Sequence, residues 1–222
     1  MVMTADLVHA SVRAYLASLA PDPGEAARLA RERAVNDGVP AISADSARFL
    51  HVLATLLPAT RAFELGTGYG LSALAVATAG VPGSVLFTVE RDGARAAVAR
   101  DHFERAGVAD RINVMLGEAT RLVHKVGGPF DLIVQDAEKS TYGPLLDRLV
   151  ALLRPGGVLV SDNILWRGDV VPGFPAPRTH SQASIDAVAE YNRRLAADPR
   201  LRTAFLPIGD GLALSVRIEG PP

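Results

Sequence analysis

Apolar positions through residue 57 recur three and four apart, whereas from residue 61 they gather into short runs separated by helical stretches. Leu7, Val8, Val12, Tyr15, Leu16 and Leu19 share one helical stripe, and Pro21 and Pro23 end it. Asp22-Pro23-Gly24-Glu25 has capping-box spacing with proline at the first helical position, which opens a second helix ending near Gly38. Ser43 caps a third, from about Ala44 to Leu57, stopped by Pro58. Five strands are then predicted, at 61–66, 84–90, 111–117, 130–136 and 157–162. Helical stretches at 71–79, 94–106, 119–126 and 142–153 separate them, the last stopped by Pro155-Gly156. Alternating strands and helices with continuous apolar strands predict a parallel sheet covered on both faces. A proline-rich loop runs from Asn163 to His180, and a helix follows to Ala197. Segments 200–207 and 212–218, joined by Ile208-Gly-Asp-Gly211, read as a hairpin, so the last strand is antiparallel to the rest. The expected architecture is α/β and doubly wound, with a seven-stranded, mostly parallel sheet. It is one domain over 1–222, with N-terminal helices over 1–58 and an α/β core over 59–222.

Composition narrows the chemistry. The absence of cysteine excludes disulfide frameworks, thiolate zinc sites, iron–sulfur clusters and a cysteine nucleophile. A net charge of −1 from 23 basic and 24 acidic residues gives no nucleic-acid footprint. Asp6, His9 and Arg13 interrupt any secretory leader pattern, so a cytoplasmic location is expected. The uncharged run Leu65–Val89 is long enough to span a bilayer, but Gly66, Gly68, Gly70, Gly80, Pro82 and Gly83 divide it into strand, turn, helix, turn and strand, and no membrane partner is expected. No G-x-S-x-G elbow is present, and the five histidines lack ligand spacing.

In an open α/β sheet, ligands bind beyond the carboxyl ends of the strands. Those ends carry Glu64 with the turn Gly66-Thr67-Gly68-Tyr69-Gly70, then Glu90, Asp136 and Asp162-Asn163. The turn lets backbone approach a ligand closely, but Leu71 stands where a dinucleotide fingerprint needs its third glycine. A carboxylate at Glu64 repels phosphate and suits a cation, and Glu90 is placed to accept two ribose hydroxyls. An adenosine ligand with a positive amino-acid tail therefore fits better than a nicotinamide dinucleotide. Neighbouring parallel strands lie about 4.8 Å apart. If the strands ending at Asp136 and Asp162 are neighbours, Asp136, Asp162 and Asn163 converge, and three oxygen donors suit a hard cation such as Mg²⁺. Lys139 then reaches back toward the same point. The alternative is that both aspartates cap helices and Lys139 lies on the surface.

Five segments occur in order: Glu64-Leu-Gly-Thr-Gly-Tyr-Gly-Leu-Ser72, Asp136-Ala-Glu-Lys139-Ser-Thr-Tyr142, Gly156-Gly157, Asp162-Asn163-Ile-Leu-Trp166 and Leu206-Pro-Ile-Gly-Asp-Gly-Leu212. Together they resemble the cation-dependent O-methyltransferases of the catechol and caffeoyl-CoA type, from about Ile42 to Ile218. The resemblance implies a Rossmann-like methyltransferase sheet, S-adenosylmethionine as methyl donor, a divalent cation, a vicinal dihydroxyaromatic acceptor and a homodimer. It implies that Glu64, Gly66, Thr67 and Ser72 hold the methionine end with Ile42 nearby, that Glu90 takes the ribose, and that Ala119 meets the adenine edge. Asp136 would serve cofactor, metal and acceptor alike, Asp162 and Asn163 would complete the metal ligands, and Lys139 would be catalytic. Trp166 and Arg167 would face the acceptor, although Arg167 stands where relatives often carry a small or amide residue, and Glu138 replaces the usual aspartate. Two other readings remain: a nicotinamide-dependent oxidoreductase, opposed by Leu71 and Glu64, and a non-catalytic cofactor-binding protein, which would have no need of Lys139 and all three ligands.

Overall fold

The computed structural model describes residues 9–219. Its helices are α1 (Ala10–Ser18), α2 (Glu25–Asn36), α3 (Ala44–Leu56), α4 (Leu71–Ala79), α5 (Gly93–Arg105), α6 (Ala119–Leu122), α7 (Tyr142–Leu152) and α8 (Gln182–Ala197). Its strands are β1 (Arg61–Leu65), β2 (Val85–Glu90), β3 (Ile112–Leu116), β4 (Phe130–Gln135), β5 (Leu153–Asp162), β6 (Leu201–Leu206) and β7 (Leu212–Arg217). They form one seven-stranded sheet in the order β3-β2-β1-β4-β5-β7-β6. Strands β1 to β5 pair in parallel, and β7 enters antiparallel between β5 and β6.

Strand residues alternate between two apolar layers, as a pleated strand requires. Ala62, Leu86, Leu132 and Val160 pack with α2 to α5 on one face, and Phe63, Val89, Ile133 and Leu159 pack with α7 and α8 on the other. Burial on both faces explains why these strands read as continuous apolar runs. Fully buried Leu146 and Leu149 of α7 contribute on the order of 1.5–3 kcal/mol each by leaving water. The chain reverses direction across the sheet at β1, which lies between β2 and β4, so a crevice opens at the carboxyl ends of β1 and β4.

Leu7 and Val8 lie outside the described residues. Three local expectations need correction. The second helix starts at Glu25, not at Pro23: Gly24 takes φ +86° and Asp22 accepts a hydrogen bond from the Gly24 N–H, making a turn ahead of the helix. The helix foreseen over 119–126 is a single turn capped at Val123, and Arg148 donates to the carbonyls of Val123 and Val126 just beyond it. Finally, Pro155-Gly156 does not separate helix from strand. Strand β5 begins at Leu153, paired with Phe130, and carries Pro155 and Gly156 exposed across a register shift before Val158 pairs with Leu132.

Candidate active site

The turn after β1 is built on close backbone contacts. The N–H groups of Gly66 and Thr67 both donate to the carbonyl of Val89, and that of Asp136 donates to Leu65. Gly66 sits at φ +97°, and a Cβ there would lie 2.3 Å from the Asp136 carbonyl oxygen. At Gly70, with φ +90°, a Cβ would stand 2.5 Å from the Phe103 ring. These two glycines thus serve strand packing and helix packing respectively, and Leu71 follows directly as the first residue of α4.

Polar side chains behind the turn are chained together. Thr67 and Thr88 hydroxyls meet at 2.6 Å, and Thr88 donates to Glu64 Oε2. Glu64 is fully buried, its Oε1 has no partner, and burial pushes its carboxyl up to about 7. Glu90 accepts from the Gly68 N–H at 2.8 Å and from the Asp92 N–H at 3.0 Å, which fixes its carboxylate at the end of β2. Tyr69 is held from two sides: its hydroxyl donates to Asp37 and its carbonyl lies 2.9 Å from buried His102 Nδ1.

A cavity of about 390 Å³ opens over these strand ends. Ile42, Gly66, Thr67 and Ser72 line it, with Glu90 and Ala119 beyond them and Asp136, Lys139, Asn163 and Trp166 at the other end. Glu64, Asp162 and Arg167 are not part of the lining: the first two are buried behind it, and Arg167 is exposed with its N–H donated to Asp210. Arg91 and Arg95, not foreseen from the sequence, line the Glu90 end.

The second cluster forms where β4 and β5 end side by side. Burial raises the proton affinity of both Asp136 and Asp162; the neighbouring Asp136 carboxylate raises that of Asp162 further, and Lys139 opposes the rise in each. Lys139 is 4 % exposed, with Nζ donating to Asp136 Oδ1 at 3.2 Å and to Tyr142 Oη. It is therefore buried at the site and not on the surface. Asp162 Oδ1 is buried with no hydrogen-bond partner. Asn163, Trp166 and Arg167 all take left-handed backbone angles, at φ 57°, 49° and 56°, a concentration of strain typical of functional loops. Trp166 donates its indole N–H to Ser184 and stacks on His180, ring centroids 4.0 Å apart. His180 is in turn fastened to buried Asp169, which also accepts from the N–H groups of Thr179 and His180. Asp210, from the β6–β7 turn, lies close enough to Lys139 for its charge to be felt. No sequence spacing pointed to the His180 stack or to Asp210's approach, since both depend on how distant loops close over the sheet.

Among the described residues no group of three or more His, Asp or Glu side chains is arranged to hold a metal ion. The expected donor set has only two carboxylates plus an amide, and it is the unpartnered buried oxygen of Asp162 beside a second carboxylate that fits a hard cation there.

A doubly wound sheet with an antiparallel seventh strand and a crevice at its switch point defines a Rossmann-like methyltransferase fold. The family model described as O-methyltransferase matches residues 26–218. The chain belongs to that O-methyltransferase family. It is 36% identical over 183 residues to the caffeoyl-CoA O-methyltransferase of Eucalyptus gunnii, covering 80% of this chain and 74% of that one. It is 35% identical over 184 residues to caffeoyl-CoA O-methyltransferase 1 of Arabidopsis thaliana, covering 80% and 71%. Among solved structures, the O-methyltransferase TomG of Streptomyces achromogenes, in complex with SAM, superposes with a TM-score of 0.83 at 28% identity, covering 94% of this chain and 96% of that one. The membership decides for methyl transfer to oxygen over the nicotinamide oxidoreductase. No helix among the described residues is long and apolar enough to cross a membrane.

Proposed function

We propose that this enzyme transfers the methyl group of S-adenosylmethionine to one hydroxyl of a vicinal dihydroxyaromatic, with a divalent cation, Mg²⁺ by preference, held by Asp136, Asp162 and Asn163. The observation that carries the proposal is the pairing of Asp136 with buried Lys139 at the cavity edge, next to the unpartnered oxygen of Asp162. When bound, the donor supplies an electrophilic methyl, and the cation supplies the charge that favours an ionised acceptor oxygen at neutral pH.

The chain's own residues do the rest. Ser72, Thr67 and the Gly66 turn, with Ile42 across the cavity, bound the end suited to the amino-acid tail. Glu64, behind them, offers its unpartnered Oε1 to the positive charge of that tail. Glu90, already fixed by two backbone N–H groups, keeps lone pairs for the ribose hydroxyls. Ala119 faces the adenine side, and Asp136 joins donor, cation and acceptor. Lys139 Nζ, at the boundary between cavity and carboxylates, takes up the acceptor's proton or stabilises its oxyanion. Trp166, braced by His180 and Ser184, walls the acceptor aromatic ring, with Arg167 at the outer rim. Alignment of oxygen and methyl by such a site is worth about 7–11 kcal/mol of barrier. The resemblance to caffeoyl-CoA enzymes supports a catechol-type acceptor, and the exposed stripe of Val12, Tyr15, Leu16 and Leu19 around α1 supports a homodimer.

A methyl-transfer assay over a panel of dihydroxyaromatics, with Mg²⁺ and with EDTA, tests the proposal. Turnover lost in EDTA and restored by Mg²⁺ is expected, as is an inactive Asp162→Ala variant that still binds S-adenosylmethionine. Turnover indifferent to EDTA refutes the metal role, and collapse of cofactor binding in Asp162→Ala refutes its assignment as a metal ligand.

A further inference from the structure

The hydroxyl of Tyr142 joins Lys139 to the ends of β4 and β5. Tyr142 is fully buried at the first turn of α7. Its Oη lies 2.8 Å from the carbonyl of Gln135, the last residue of β4, and 3.1 Å from the carbonyl of Asp162, the last residue of β5. Both carbonyls can only accept, so the single phenolic hydrogen is committed to them. Toward Lys139 the oxygen therefore has only lone pairs to offer, and Nζ must be the donor.

This settles how Lys139 is oriented. One N–H of Nζ is taken by Tyr142 Oη and a second by Asp136 Oδ1. The remaining valence is the only one free for the cavity, which Lys139 lines. An ammonium presents its third N–H there, and an amine presents its lone pair. Either state is thus aimed before a ligand arrives, and a flexible four-carbon side chain is reduced to one useful direction. Tyr142 itself does not line the cavity, and its ring is anchored from behind by an edge-on contact with Tyr191, centroids 5.0 Å apart.

The geometry points to Tyr142 as the positioning residue of the methyl-transfer site: its hydroxyl, fixed by the ends of β4 and β5, aims Lys139 Nζ at the acceptor oxygen. This rests on Lys139 acting in catalysis, as proposed above.

Tyr142→Phe keeps the ring and deletes the acceptor atom. It is expected to lower kcat about 10- to 100-fold, the range for one lost hydrogen bond to a charged group, with KM for S-adenosylmethionine and for Mg²⁺ within about 2-fold of the parent. In a double-mutant cycle, Tyr142→Phe added to Lys139→Ala is expected to change kcat by no more than about 2-fold, since there is no longer an amine to aim. A purely structural tyrosine would instead lower the activity of both backgrounds equally and weaken cofactor binding, and that result overturns the inference. Unchanged kcat in Tyr142→Phe, with kcat of Lys139→Ala reduced below that of the parent, overturns it while leaving Lys139's role standing. Lys139→Ala with the kcat of the parent overturns both. Should Tyr142→Phe not fold, 3,5-difluorotyrosine placed at 142 retains the ring and hydroxyl but weakens the oxygen as an acceptor. A drop in kcat without loss of cofactor affinity then supports the inference, and an unchanged kcat overturns it.

Discussion

Replacing Gly66 by alanine tests whether the turn after β1 and the Asp136 cluster are one packed unit. Two effects add in this variant. The first is conformational: φ +97° is unfavourable for any L side chain and costs about 1–2 kcal/mol. The second is overlap, since the new methyl would lie 2.3 Å from the carbonyl oxygen and 2.7 Å from the carbonyl carbon of Asp136. Neither neighbour is the end of a flexible side chain, so the strand ends must move apart, adding about 1–3 kcal/mol as overpacking does in cores. Gly83→Ala is the internal control: Gly83 has a comparable φ of +80°, but a methyl added there would meet nothing within 4 Å, so it bears only the first effect. At about 2–4 °C per kcal/mol for a chain of this size, Gly66→Ala should melt on the order of 4–20 °C below the parent and Gly83→Ala about 2–8 °C below. Thermal unfolding of both variants, with calorimetric titration of S-adenosylmethionine, makes the comparison, and Gly66→Ala should also bind the cofactor more weakly. If the two variants melt together and bind alike, the close approach of β1 and β4 does not matter and the reasoning is wrong.

Ligand-free protein should be more stable in mild acid than at alkaline pH. Folding raises the Glu64 carboxyl from 4.5 to about 7, so its contribution is complete below the unfolded value and lost as pH rises through the folded one. The span is on the order of 3 kcal/mol. Thermal unfolding of Glu64→Gln should show a flatter pH profile and a higher melting temperature than the parent above about pH 8, and a parallel profile would remove Glu64 as the cause. Light scattering coupled to size exclusion should find a dimer that Leu16→Glu converts to monomer, because α1 buries none of its residues on its own chain among those described. An unaltered dimer in that variant would place the interface elsewhere.

What the sequence made legible follows from periodicity and strand ends. Burial on both faces is written directly as uninterrupted apolar strands, and polar residues at the ends of β1, β2, β4 and β5 mark the crevice, so Glu90, Asp136 and Asn163 were accessible to inspection. The hairpin at 201–217 was also visible, but its insertion with β7 against β5 was not, because pairing partners far apart in sequence leave no local trace. The carbonyls that follow α6 are taken by Arg148, twenty-two and more residues away, a partner no local pattern announces. Tyr142 closes the sequence segment that begins at Asp136, yet its task becomes evident only when the carbonyls of Gln135 and Asp162 are brought within reach of one oxygen. The His180 brace on Trp166 has the same origin in loop closure.

The three left-handed residues after β5 have a bearing on how such an enzyme diversifies. Each non-glycine residue held there keeps roughly 1–2 kcal/mol in reserve, and Trp166 lines the cavity with Arg167 next to it in the chain. Selection for heat resistance alone would find relief at position 167 with glycine or asparagine, and would in the same stroke move the backbone that carries Trp166 into the cavity wall. If that wall receives the acceptor as proposed, robustness and choice of acceptor are traded against each other on a single short piece of backbone, while the opposite end of the cavity stays out of the exchange.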